Sequence, residues 1–75
     1  MIFDEKSLVI LEKLNKTPTS LHMETLYEAT KPTQYRGLLR RVGELKEAGL
    51  INTTNATYCK ITDFGRQVAS MLSEE

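Results

Sequence analysis

The sequence predicts a mainly α-helical fold with one small β-hairpin, in the order helix, helix, helix, hairpin, helix. Three observations predict it. Apolar residues recur at three- and four-residue spacing in four separate stretches. A glycine, Gly49, closes the third stretch and is followed by two short runs rich in β-branched and aromatic residues. The chain has 75 residues, 40% of them hydrophobic, which suits one small packed domain. No internal repeat, low-complexity tract or linker divides it, so residues 1–75 are read as a single domain.

The first helix is expected from about Asp4 to Leu14. Phe3, Ser7, Leu8, Ile10, Leu11 and Leu14 fall on one stripe when the chain is wound as a helix. Asp4 is a natural N-cap. Asn15-Lys16-Thr17-Pro18 ends the helix, because proline disfavours helical backbone at the residue before it. Ile2 and Val9 fall on the opposite side.

A short second helix is expected from Ser20 to Ala29, capped by Thr19 or Ser20. Leu21, Leu26 and Ala29 are its expected inner contacts, and Glu24 sits near its positive end. Thr30-Lys31-Pro32-Thr33 is a tight connection. The third helix is expected from Thr33 to Ala48, with Leu38, Val42 and Leu45 defining its buried face. Gly49 supplies its left-handed C-terminal cap.

Leu50-Ile51-Asn52-Thr53 and Thr57-Tyr58-Cys59-Lys60-Ile61 read as strands, joined through Thr54-Asn55-Ala56. Alternation puts Cys59 and Ile61 inward, with Tyr58 and Lys60 outward. The last helix opens at Thr62 as N-cap and carries Phe64, Val68, Met71 and Leu72 on one side.

The ten Lys and Arg residues balance ten Asp and Glu, so the net charge is zero. That excludes a chain that coats nucleic acid by charge alone. The distribution is uneven, however. Lys31, Arg36, Arg40 and Arg41 lie between Lys31 and Gly43 with no acidic residue among them. The remaining chain keeps six basic residues against all ten acidic ones. A basic segment on an acidic body is the footprint of a protein that docks one face on DNA.

The fold pattern is also familiar. Leu38-x3-Val42-x2-Leu45-x3-Gly49-Leu50-Ile51, followed by Tyr58-x2-Ile61-Thr62-x2-Gly65, resembles the winged helix-turn-helix domains of small regulators of the MarR, PadR and ArsR kind. Those read "L-x3-L-x2-L-x3-G-L-I", then a β wing, then "Y-x-L-T-x2-G". The likeness spans nearly the whole chain. Three departures stand out. The tyrosine lies one residue further from the Ile-Thr pair. The wing tip, Thr53 to Thr57, carries no Lys or Arg. The long flanking helices that hold effector pockets and dimer contacts in MarR proteins do not appear in this sequence.

The resemblance implies a winged helix-turn-helix fold and a sequence-specific regulator bound to double-stranded DNA, with the helix from about 33 to 48 in the major groove. Thr33, Arg36, Gly37 and Arg40 lie on its outward side, opposite Leu38, Val42 and Leu45, and in the half that enters the groove. Arginine matches the N7 and O6 acceptors of guanine with two hydrogen bonds. Gly37 allows close backbone approach. Lys31 and Arg41 suit phosphates. Gln34 and Tyr35 start the helix within reach of backbone or bases. On the wing, Lys60 alone offers a charge. One such module reads few base pairs, so a homodimer on a palindrome is expected. Ile2, Val9, Met71 and Leu72 are the candidate dimer surface. A winged helix that binds protein within a larger complex is the other reading.

Little points to catalysis or cofactors. One cysteine and one histidine exclude a CxxC or His/Cys zinc cluster of standard spacing. Cys59 is read as a core residue and His22 as a surface residue at a helix start. No glycine-rich phosphate loop follows a strand. We expect no enzyme, no metal, no cofactor and no small-molecule effector. No apolar run approaches the roughly 20 residues of a membrane helix. The N-terminus is acidic too early for a signal peptide, so a cytoplasmic location is expected.

Overall fold

The computed structural model describes residues 4–31, 34–55 and 57–73. The candidates Ile2, Phe3 and Thr33 lie outside the described residues. The elements run α1 (Glu5–Asn15), β1 (Leu21–His22), α2 (Met23–Ala29), α3 (Tyr35–Glu47), β2 (Ile51–Thr54), β3 (Tyr58–Ile61) and α4 (Asp63–Ser73).

Helix α1 begins where Asp4 accepts a hydrogen bond from the Ser7 backbone N–H at 2.9 Å. Its buried residues Ser7, Ile10, Leu11 and Leu14 match the stripe read from the sequence. At its C-terminal end, Arg66 of α4 donates to the Asn15 carbonyl at 2.9 Å and the Thr17 carbonyl at 3.3 Å. A cation thus meets the negative end of the helix and serves carbonyls that have no partner within it.

The second helix is shorter than expected, and its start is displaced. Leu21 and His22 form a strand, pairing antiparallel with Cys59 and Tyr58 of β3. The Met23 N–H extends this edge by donating to the Thr57 carbonyl at 2.7 Å. The N-cap is therefore His22, whose Nδ1 accepts from the Glu24 N–H at 3.1 Å. Met23 and Leu26 are the buried residues of α2, while Ala29 is exposed. The reason is tertiary: the β3 edge offers Leu21 and His22 backbone partners that an extra helical turn would forgo.

Helix α3 buries Leu38, Val42 and Leu45. It ends in a Schellman motif. The Gly49 N–H donates to Lys46 and the Leu50 N–H to Leu45, both at 3.0 Å, with Gly49 at φ 81°. Strands β2 and β3 pair antiparallel from Ile51 opposite Ile61 to Thr54 opposite Tyr58. The sheet order is β1-β3-β2. The outward and inward alternation of β3 is as expected, with Cys59 and Ile61 buried and Tyr58 and Lys60 exposed. Cys59 lies in the core beside Met23, Sγ to Sδ 3.9 Å.

Thr62 joins the two halves. Its hydroxyl accepts from the Gly65 N–H at 2.9 Å as the cap of α4, and lies 2.7 and 3.0 Å from the Gly49 and Leu50 carbonyls. The inner face of α4 is made by Gly65 and Ala69 rather than by its large apolar residues. A Cβ at Gly65 would stand 2.1 Å from the Leu50 carbonyl oxygen, so only glycine permits this approach. Close contact there rotates Phe64, Met71 and Leu72 outward, to 54%, 74% and 50% exposure. Val68 is half-buried against the core.

Candidate nucleic-acid interface

The outer side of α3 forms an open groove of about 420 Å³ lined by Gln34, Arg36, Gly37, Arg40 and Arg41. Gln34 is the N-cap residue, with no side-chain capping bond, so its amide is not committed to the helix start. Tyr35 is half-exposed and packs edge-on against Tyr27 of α2, ring centroids 5.5 Å apart. Leu39, which the apolar periodicity of α3 does not single out, is 44% exposed one turn after Tyr35. Its apolar spacing gave no signal, because it stands one residue beyond the buried Leu38.

The four cations of the segment divide into two kinds. Arg36 and Arg40 are exposed, and neither makes a side-chain hydrogen bond or ion pair with another described residue. Arg41 is only 15% exposed and is held by Asp4 at the start of α1. Its Nε donates to the two carboxylate oxygens at 3.1 and 2.9 Å, and Nη2 lies 2.7 Å from Oδ2. Its Nη1 donates to the Gly37 carbonyl at 3.1 Å. The guanidinium, with help from the Ser7 N–H, holds the Asp4 carboxyl well below the usual carboxylate range. The carboxylate in turn raises the Arg41 pKa. The sequence suggested a phosphate contact for Arg41; the fold gives that guanidinium an internal partner 37 residues away.

Lys31 is likewise engaged. Its ammonium lies 3.1 Å from Glu28 and 5.4 Å from the centre of the Tyr27 ring. Both partners are exposed, so this pair yields easily to a competing anion. On the wing, Lys60 and Tyr58 occupy the exposed face of β3, and the Tyr58 ring meets His22 edge-on at 5.2 Å. Lys46, at the far end of α3, donates to Thr53 of β2 at 3.1 Å and ties the helix to the wing.

Of the candidate dimer residues, Val9 is half-buried on α1, while Met71 and Leu72 are exposed on α4. A groove of about 340 Å³ between these helices is lined by Leu8, Leu11, Glu12, Asn15, Lys16, Ala69 and Leu72. Among the described residues, no helix is long and apolar enough to cross a membrane.

No family model matches the chain, and no curated protein matches it. Solved structures do. A MarR family transcriptional regulator from Silicibacter pomeroyi superposes with a TM-score of 0.77 at 19% identity, over 89% of this chain and 48% of that one. The present chain thus spans about half the length of that regulator. A protein from Archaeoglobus fulgidus superposes with a TM-score of 0.77 at 17% identity, over 95% of this chain and 84% of that one. Helix order, three-stranded sheet and superposition agree: in fold, the chain is a winged helix-turn-helix domain.

Proposed function

We propose that this chain is a sequence-specific, double-stranded DNA-binding transcriptional regulator that works as a homodimer, with α3 in the major groove. The observation that carries the reading is the pair Arg36 and Arg40, exposed and unpaired among the described residues, on the leading half of the outer face of α3. In a helix-turn-helix this half meets base edges, and a guanidinium with no partner among the described residues is ready for guanine. Gln34, Tyr35 and Gly37 belong to the same approach surface, and Lys31 and Lys60 serve phosphates at its margins. The structural likeness to a MarR family transcriptional regulator supports the reading.

A single module offers few free cations, which favours pairing on a two-fold site with half-sites about 34 Å apart. The apolar side chains of Met71, Leu72 and Val9 are the surface assigned to that pairing. Neither a catalytic step nor a cofactor or effector enters this reading, and its setting is inside the cell, on DNA.

The test combines light scattering after size exclusion with titration of random duplex DNA at two salt concentrations. A dimer that binds at low salt and releases at high salt is expected. A monomer without affinity at either salt refutes the reading and turns the search to a protein partner, which the uncharged wing tip around Asn55 would suit.

A further inference from the structure

Arg41 and Asp4 raise a question that the DNA-binding reading leaves open. Arg41 lines the basic groove together with Arg36 and Arg40. Its charge is cancelled there by a carboxylate from another helix, through three contacts of 2.7 to 3.1 Å. Asp4 is itself 47% exposed, so the anion stands at the edge of the surface where phosphates would pass. Its position is not accidental to the fold: the same carboxylate caps α1 through the Ser7 N–H. A capping role alone would be met equally by asparagine or serine, which carry no charge. The charge therefore has a second target beyond the start of α1, the Arg41 guanidinium.

We propose that Asp4 is an affinity-determining residue of the DNA face: it withholds the charge of Arg41 from the phosphates, so that this arginine adds nothing to binding until Asp4 is neutralised. The inference rests on the DNA-binding reading above. It goes beyond it by making an acidic residue of α1, outside the helix-turn-helix, part of the interface. The physical reason is competition. A guanidinium bound to a carboxylate by paired hydrogen bonds is a neutral unit, and a neutral unit releases no counterion from DNA. Freed of that partner, Arg41 keeps its Gly37 bond through Nη1 and turns Nε and Nη2 toward the groove.

The experiment measures duplex affinity against salt for the wild type, Asp4→Asn, Asp4→Ser and the Asp4→Asn/Arg41→Gln double variant. Both single variants keep a capping residue, so one of them serves if the other folds poorly. The single variants are expected to bind more tightly at low salt, with a log–log salt slope steeper by about 0.9 per chain. That is about a three- to fourfold larger change in affinity over a fourfold change in salt. The double variant should lose this gain. Glu12→Gln, which removes one charge on the α1–α4 side, should not reproduce it. An unchanged slope in the single variants, a gain that persists in the double variant, or an equal gain from Glu12→Gln overturns the proposal. In each of those cases binding by the wild type leaves the DNA-binding reading standing. A wild type with no affinity for DNA at any salt overturns both.

Discussion

Replacing Arg36 and Arg40 together by alanine tests the assignment of α3 most directly. Both side chains are exposed and unpaired among the described residues, so their loss should leave the fold within about 0.5 kcal/mol of the wild type. Alanine is also a strong helix former, which works against unravelling α3. The effect on binding follows from a charge count. Arg41 is neutralised by Asp4, whereas the exposed Lys31–Glu28 pair yields to phosphate, which leaves Arg36, Arg40, Lys31 and Lys60 as the effective cations of the face. Four phosphate neutralisations give a log–log salt slope of about −3.6 per chain, and removing two should bring it to about −1.8. Over a fourfold rise in salt, the wild type should lose about 150-fold in affinity per chain and the variant about twelvefold. In a dimer these slopes double. If either arginine also grips a guanine, specific affinity falls by a further ~1–3 kcal/mol per contact, while binding to random DNA does not. Fluorescence anisotropy with a labelled duplex, at several salt concentrations, separates the two effects. A variant that melts like the wild type and binds DNA with an undiminished slope would refute the placement of α3 against DNA.

Other outcomes concern the scaffold. Gly65→Ala should destabilise the domain by roughly 3 kcal/mol or more in a urea melt, because its Cβ has to displace the Leu50 carbonyl and the Ile61 side chain. Thr62→Val should cost about 1–2 kcal/mol in the same assay, through loss of the Gly65 cap and of the bonds to the Gly49 and Leu50 carbonyls. The depressed pKa of Asp4 gives stability a pH dependence of definite sign. The unfolded carboxyl takes up its proton first, so the contribution is complete above about pH 4 and is lost as pH falls toward the lowered folded value. Thermal melts of Asp4→Asn should lack that part of the acid slope. The Cys59 thiol, fully buried with its pKa raised by desolvation, should react with a disulfide reagent only as the protein unfolds. Rapid labelling in native buffer would place it elsewhere.

How much of this was legible in the chain itself depends on the range of the interactions involved. The cap at Asp4, the Ser7-Ile10-Leu11-Leu14 stripe, the Leu38-Val42-Leu45 face, the Gly49 turn and the alternation through Cys59 and Ile61 rest on neighbours within a turn or two. Periodicity and capping chemistry record such interactions directly, and the basic segment with outward Arg36 and Arg40 follows from the same wheel. Tertiary structure decided what depends on distant partners. Strand β1 exists because the β3 edge lies beside Leu21 and His22, and two residues are too few to carry a period of their own. The outward turn of Phe64, Met71 and Leu72 follows from the contact between Gly65 and the Leu50 carbonyl, which hydropathy cannot register. Most consequential is Arg41, one of four equal cations in the sequence and a neutralised one in the fold. Which charges are free is set by pairings across 37 residues of chain, and only the packing of α1 against α3 brings Asp4 within reach.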